Sequence, residues 1–158
     1  METYTSFLPL FTKVLNNHKV GKYLEWGAGF NSTKLIIDLI GKENVYSIEH
    51  DEEWFDKIKD IGCNIYRKDM VRKEICEYVT FPRTLNIKFD FIFIDGRNRV
   101  LCANVAKELL NTNGIIMMHD IHRSKYLDGV GDTFNHKYVS LEHDTALFSN
   151  DNRMEYLC

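Results

Sequence analysis

Tyr23-Leu24-Glu25-Trp26-Gly27-Ala28-Gly29-Phe30-Asn31-Ser32-Thr33 is the stretch that decides the fold. An extended run ends in an acid, a glycine turn follows, and Leu35, Ile36, Leu39 and Ile40 then recur at helical spacing. The pattern predicts a strand, a tight turn and a helix over Ser32 to Ile40. Gly27 and Gly29 permit backbone angles or close approaches that a side chain would block. The turn can therefore lie against a ligand, with the free N–H groups of the new helix aimed at it. Glu25 falls at the carboxyl end of the strand, the edge at which open α/β sheets bind ligands. A carboxylate there suits a cationic or hydroxyl-bearing group and repels a phosphate.

The glycine spacing is G-x-G-x-x-S, without the third glycine of the dinucleotide fingerprint, so the loop alone does not name its ligand. Val45-Tyr46-Ser47-Ile48-Glu49-His50 reads as a second strand ending in an acid. Glu49 stands roughly 20 residues beyond the glycine turn, the separation at which a carboxylate reaches paired ribose hydroxyls. Phe89-Asp90-Phe91-Ile92-Phe93-Ile94 is a strand-length apolar run that ends in Asp95-Gly96, as expected of a strand buried on both faces. Gly114-Ile115-Ile116-Met117-Met118-His119-Asp120 repeats the design. These strand ends should gather along one edge of one parallel sheet. A solvated acid at a strand end is the plainer alternative for each taken singly.

Taken in order, Glu25-Trp26-Gly27-Ala28-Gly29, Ser47-Ile48-Glu49-His50-Asp51, Phe93-Ile94-Asp95-Gly96 and Asn113-Gly114-Ile115-Ile116 resemble the class I S-adenosylmethionine-dependent methyltransferases. The resemblance extends from Tyr23 to Asp120. It implies a Rossmann-like three-layer α/β sandwich, its sheet mostly parallel with an antiparallel C-terminal hairpin. It also implies S-adenosylmethionine as cofactor and methyl transfer as the activity. In such families the first acid faces the methionine end, the glycine turn passes under the cofactor, and the second acid holds the ribose. Glu25, Gly27, Ala28, Gly29, Ser32, Glu49 and His50, with Asp95 beside them, are the cofactor-binding residues that the resemblance implies. Asp69, after the strand-like Asn64-Ile65-Tyr66-Arg67, matches a position that often contacts the adenine amino group; a solvated acid is the alternative in this polar stretch. The Asn/Asp-Pro-Pro-Tyr signature of many amino-group methyltransferases does not follow the fourth strand, where Asp95-Gly96 stands. That directs the expectation to an oxygen acceptor.

Methylation of a hydroxyl needs in-line alignment and a group that removes the proton. Asp95, His119 and Asp120 are the candidate catalytic residues, and an imidazole titrates naturally near neutrality. A hydrogen-bonded structural role is the alternative for a histidine at a strand end. Asp95 and Asp120 could converge on Mg²⁺, as a resemblance to the metal-dependent O-methyltransferases implies. Those enzymes commonly follow the second acid with Asn or Asp, and this chain has Ile121, so no metal is assigned. Arg97, Arg99, His122 and Arg123 are the candidate acceptor-binding residues. A guanidinium fork suits carboxylate or phosphate, hence a uronic acid, a phosphorylated sugar or an acidic side chain. Pairing of these arginines with Glu108 or Asp90 is the alternative. The D-G-R-x-R form at Asp95–Arg99 resembles methyltransferase-like domains associated with polysaccharide modification, which ranks carbohydrate among small-molecule acceptors. Two other functions stay open: a non-catalytic partner subunit of the same fold, and an NAD-binding oxidoreductase. The missing third glycine, and Glu25 facing a pyrophosphate, stand against the second.

Apolar residues form 44% of the 158-residue chain, enough for one core. The expected organisation is one domain, an N-terminal helix over 1–20 and a cofactor-binding core over 21–158. Net charge is −3, with Lys and Arg scattered rather than in a long run, which argues against a nucleic-acid partner. No apolar run has the length of a membrane span, and Met1-Glu2-Thr3-Tyr4 does not start a secretory signal. Cys63, Cys76, Cys102 and Cys158 make no C-x-x-C pair, so reduced thiols in a cytoplasmic protein are expected rather than zinc. A glycan on the triplet Asn31-Ser32-Thr33 would block the glycine loop, which agrees. Further helices are expected at Phe7–Leu15, Glu52–Lys59, Met70–Tyr78 and Leu101–Leu110, the last ended by Asn113-Gly114. Lys137–Leu141 and Thr145–Ser149 read as a hairpin turning at Glu142-His143-Asp144. Little chain remains for a lid, so either a large acceptor meets an open cleft or a second subunit covers it. Phe7, Leu8 and Phe11 could make that contact, or else cover the sheet of their own chain.

Overall fold

A computed structural model describes residues 5–123, 125–130, 134–151 and 154–157. Met1 to Tyr4 and Cys158 lie outside the described residues. The elements in chain order are α1 (Leu8–Asn17), β1 (Tyr23–Trp26), α2 (Ser32–Ile40), β2 (Val45–Glu49), α3 (Glu52–Ile58), β3 (Asn64–Arg67), α4 (Glu77–Thr80), β4 (Phe89–Ile94), α5 (Arg99–Leu109), β5 (Leu110–His119), α6 (Lys125–Val130), β6 (His136–Ser140) and β7 (Thr145–Ser149). The strands make one seven-stranded sheet in the order β3-β2-β1-β4-β5-β7-β6. Neighbours from β3 to β5 are parallel, and β7 runs antiparallel to both β5 and β6. The α/β class and the antiparallel C-terminal hairpin are as the sequence predicts. The dinucleotide-binding order is 3-2-1-4-5-6; here β7 is inserted beside β5. No described helix is long and apolar enough to cross a membrane.

Strand alternation sorts the core into two layers. Leu24, Trp26, Ile48, Ile92, Ile94, Ile116 and Met118 face one side, with Tyr78 and Val79 of α4 and Cys102, Ala103 and Ala106 of α5 packed over them. Tyr23, Val45, Phe91, Phe93, Ile115 and Met117 face the other, under α1 and α2. β1 and β4 are central and almost wholly buried, which is why they read as continuous apolar runs. Pro9 starts α1, where its missing N–H costs nothing. Phe7 and Phe11 stack on Phe93 and Phe91 with ring centroids 4.7 and 5.1 Å apart. Both rings are buried by their own sheet and offer nothing to a second copy. Asp51 caps α3, accepting from Trp54 N at 2.7 Å.

Two expected boundaries move. Met70 to Tyr78 is not a helix; only Glu77–Thr80 is helical. The cause is Asn98, whose side chain takes over backbone groups that a helix would have paired. Its Nδ2 donates to Val71 O at 2.8 Å and Glu74 O at 3.3 Å, and its Oδ1 accepts from Lys73 N at 2.8 Å. Lys73 sits at φ 63, off the right-handed region. Asn113-Gly114 does not end α5 either. The helix stops at Leu109 and the chain passes directly into β5. Phe89 pairs with Leu110 while Phe91 pairs with Ile115, so the intervening residues bulge from the ladder. Gly114 packs against the Leu110 side chain, where a Cβ would collide.

Candidate functional site

The carboxyl ends of β1, β2, β4 and β5 open into a cleft of about 790 Å³. It lies where the strand order reverses between β1 and β4, the switch point at which open α/β sheets bind ligands. One wall is the loop Gly27 to Ser32, and beside it stand Glu49, His50, Asp51 and Trp54. The facing wall carries Asp95, Gly96, Arg97, Arg99, His119, Asp120 and Arg123. Twelve expected residues thus meet in one cleft: Gly27, Ala28, Gly29, Ser32, Glu49, His50, Asp95, Arg97, Arg99, His119, Asp120 and Arg123. Phe30 and Trp54 also line it, with ring centroids 5.5 Å apart. Neither ring is marked as a site residue by the sequence motifs. Phe30 lay inside the glycine loop, and Trp54 lay just past Glu49-His50-Asp51, so position relative to the strand ends was the available signal.

Glu25 does not line the cleft. It is 0% exposed, beneath the glycine loop rather than facing a ligand. Four hydroxyls donate to its carboxylate: Tyr23 Oη at 2.8 Å, Ser32 Oγ at 3.2 Å, Ser47 Oγ at 2.5 Å and Thr33 Oγ1. Thr33 Oγ1 in turn accepts from Gly29 N at 3.0 Å. The acid therefore anchors the loop from below. Burial lifts its pKa from 4.5 to about 7, against the lowering effect of the hydroxyl donors.

The loop needs its first glycine for a reason internal to the protein. Gly27 has φ +89, and a Cβ there would stand 2.7 Å from Gly96 N and 2.8 Å from Asp95 C. The turns after β1 and β4 cross at backbone contact. Gly29 differs: a Cβ there meets no atom within 4 Å. Glu49 is 3% exposed, and its Oε1 accepts from His50 N at 2.8 Å and Asp51 N at 2.9 Å. His50 Nδ1 lies 3.1 Å from the same oxygen without a bonding angle, and its ring packs edgewise on Tyr78.

Arg99 is occupied within its own chain. Its side chain is 5% exposed. Nε donates to Gly96 O at 2.9 Å, Nη1 to His119 O, and Nη2 to Asp95 O at 3.2 Å and Asp120 Oδ2 at 2.8 Å. Nη1 also lies 3.4 Å from Asp95 Oδ1. Arg97, two residues earlier, is exposed, with no carboxylate partner among the described residues. The alternative partners are taken elsewhere: Glu108 binds Arg83 bidentately, and Asp90 accepts from Gly21 N and Lys22 N.

His119 is not placed as a free base. Nδ1 meets Asp95 Oδ1 at 3.0 Å and Nε2 meets Ser6 Oγ at 2.8 Å, so both ring nitrogens are engaged within the chain. The ring packs edgewise on Phe7. The imidazole thereby ties Asp95 to Ser6. His122 stands outside the cleft, exposed and paired with Asp144. Asp69 also stands outside it: the carboxylate is exposed and paired with Arg67 at 3.2 Å.

Ligand atoms of Asp95, His119 and Asp120 lie within 4.8 Å of one another. A divalent cation does not fit them as they stand. The Arg99 guanidinium already lies on both carboxylates, and the imidazole nitrogen that faces them is bonded to Asp95. A metal there would meet a buried like charge. The second grouping, Asp120, His122 and Asp144, has its imidazole already paired with Asp144.

No protein-family model matches this sequence, and no curated protein sequence does. Solved structures do. A methyltransferase-like protein from Silicibacter pomeroyi aligns over 94% of this chain and 85% of its own, at 16% identity and a TM-score of 0.67. A putative caffeoyl-CoA O-methyltransferase from Staphylococcus aureus aligns over 90% and 81%, at 14% identity and 0.70. MycE methyltransferase of the mycinamycin biosynthetic pathway, in complex with Mg, SAH and mycinamycin VI, aligns over 97% of this chain but 47% of its own, at 14% identity and 0.65. This chain therefore has the fold of the class I S-adenosylmethionine-dependent methyltransferases.

Substitutions at the two loop glycines should separate strain from ligand approach. Gly27→Val is expected to lower the urea midpoint, by roughly 2–4 kcal/mol in stability, from left-handed strain and overpacking. Gly29→Ala should leave the midpoint unchanged.

Glu25 sets a pH dependence. Its folded pKa of about 7 lies above the ordinary 4.5, so the folded protein holds a proton that the unfolded chain releases. The associated stability is fully present below pH 4.5 and is lost as pH rises through 7, roughly 3 kcal/mol in all. Denaturation midpoints of Glu25→Gln across that window should fall less with rising pH than those of the parent. Parallel curves would mean that Glu25 is ionised in the folded protein throughout.

Proposed function

We propose that this protein binds S-adenosylmethionine in the cleft and methylates an oxygen of a small-molecule or carbohydrate acceptor. The observation that carries this reading is the placement of the Gly27–Ser32 loop and Glu49 on one wall, with Asp95 and Asp120 on the wall opposite, at the switch point of a methyltransferase-type sheet. A cofactor lying along the loop would run from Glu49, at the ribose, to Asp95 and Asp120, at the reacting centre. Glu49 suits the ribose because Oε1 is fixed by two backbone N–H groups while Oε2 has no hydrogen-bond partner among the described residues. Phe30 and Trp54, at the cleft lip, offer flat apolar surface to the base or the acceptor. Bound there, S-adenosylmethionine supplies an electrophilic methyl group.

The chain's own residues then have two tasks. The first is alignment, which Arg99 secures by tying both strand ends together. The second is removal of the hydroxyl proton. Asp120 Oδ2 is held by Arg99, and Oδ1 has no hydrogen bond from a described residue. Asp120 is the base in this reading, and His119 with Ser6 holds Asp95 in register beside it. No step runs through a metal.

Calorimetry tests the cofactor half. S-adenosylhomocysteine should bind, and NAD far more weakly. Glu49→Ala should cost roughly 1.5–3 kcal/mol of that affinity, the worth of hydrogen bonds to a charged group. Gly29→Ala, folded normally, should also bind weakly because its methyl would stand in the cofactor's path. Tight NAD binding with no response to S-adenosylhomocysteine would sink the reading.

The chemical half is tested once an acceptor is in hand. Asp120→Asn should lower turnover roughly 10²- to 10⁴-fold with cofactor affinity nearly intact. Activity should survive a chelator. Loss of turnover on chelation, restored by Mg²⁺, would mean that Arg99 moves aside for a metal. Full activity in Asp120→Asn would remove the base and leave catalysis by alignment alone.

A further inference from the structure

A second concavity of about 540 Å³ adjoins the cleft and shares Arg97, Arg99 and Arg123 with it. Its lining holds no Asp or Glu. With Arg99 committed to the strand ends, five cationic side chains remain: Arg72, Lys73, Arg97, Arg123 and Lys125. They come from three separate segments, the loop after β3, the β4–α5 turn and the chain beyond β5. Arg123 interacts with Tyr126 and, more weakly, with the carboxylates of Asp120 and Asp144. The other four have no carboxylate partner among the described residues.

Concentrating uncompensated cations in one hollow is unfavourable in a protein of net charge −3 that has acids to spare. The fold nevertheless maintains it. Asn98, in the left-handed region at φ 50, ties the Arg72–Lys73 loop to the Arg97 turn through Val71 O, Glu74 O and Lys73 N. Lys73 is also held at positive φ. The arrangement is preorganised rather than a chance meeting of long side chains.

We propose that this groove seats the phosphate of the methyl acceptor, so that the acceptor is a phosphorylated small molecule, with a diphosphate fitting best. The proposal rests on the methyltransferase reading for the word acceptor, but not for the anion site itself. Four unpaired cations outmatch a single carboxylate and suit a group carrying two or three negative charges. The cations are gathered in a concavity within the size range of small-ligand pockets, roughly 300–1,000 Å³. A single-stranded nucleic acid would need a track along the surface with stacking aromatics, whereas this groove offers Tyr126 alone. Arg97 and Arg123 belong to both concavities, so a molecule anchored by its phosphate reaches from the groove to Asp95 and Asp120.

The test is titration of the whole protein with pyrophosphate, orthophosphate, glucuronate and a short RNA, alongside S-adenosylhomocysteine. Pyrophosphate is expected to bind best, orthophosphate less well and glucuronate least, all weakening as salt rises. The double variant Arg72→Gln/Lys73→Gln should lose at least about tenfold in pyrophosphate affinity, as expected for charge-assisted contacts. It should keep S-adenosylhomocysteine affinity, which also reports that it is folded. Absent pyrophosphate binding, or binding unchanged in the double variant, overturns the groove while leaving the cofactor site standing. RNA that binds more tightly than pyrophosphate and loses affinity in the same variant overturns the small-molecule form. Pyrophosphate binding that follows expectation without any S-adenosylhomocysteine binding supports the anion site and overturns the methyltransferase reading above it.

Discussion

One guanidinium holds the floor of the cleft. Parallel strands end with carbonyls that no neighbouring strand satisfies, and β4 and β5 end side by side in Asp95 and Asp120. Arg99, from the first turn of α5, meets all of these needs at once. It donates to the carbonyls of Asp95, Gly96 and His119 and neutralises two carboxylates that would otherwise repel each other. A buried charge is costly unless paired and hydrogen-bonded, and this one has two carboxylate partners and donates four hydrogen bonds. Tyr126 closes over it, 5.5 Å from ring centroid to guanidinium carbon. The same contacts fix the start of α5, the spacing of the two acids and the limit between the cleft and the basic groove.

Glu25 does for the opposite wall what Arg99 does for this one. It is a buried carboxyl group surrounded by hydroxyls, and through Thr33 it holds the amide of Gly29. The walls meet where Gly27 and Gly96 touch backbone to backbone. A buried guanidinium and a buried carboxyl group, each spent on loop geometry, thus define a cleft whose exposed polar groups remain for ligands. The N-terminal segment completes the support. Phe7 and Phe11 seal the sheet, and Ser6 fixes the imidazole that braces Asp95. The same segment therefore covers the core and steadies the carboxyl-end edge of the sheet.

Much of this was legible in the linear sequence because its signals are local. A strand ending in an acid, a turn that needs a glycine and a helix face repeating every three or four residues all depend on neighbours within one element. That is why β1, β2, β4, the glycine loop, α2 and the C-terminal hairpin fall where they were expected. The four strand ends also converge as parallel topology requires. The boundaries that moved, at Met70–Tyr78 and Asn113-Gly114, were decided by distant partners, the Asn98 amide and the pairing of Phe89 with Leu110.

Side-chain roles at the site divide along the same line. The sequence by itself determined which residues stand at the strand ends and therefore which groups could reach one cleft. Only the tertiary structure decided what each one does there. Arg97 and Arg99 share a motif, yet one has no carboxylate partner among the described residues and the other is locked, because residues two apart leave a helix start in different directions. Glu25 and Glu49 both end strands, yet one is sealed beneath the loop by four hydroxyls and the other lines the cleft. His119 reads as a base until Ser6, 113 residues away in sequence, takes its second nitrogen. Lys and Arg look scattered along the chain until three separate segments bring five of them to one hollow. Local pattern encodes position along an element, whereas burial, charge pairing and open space arise only when separate elements meet.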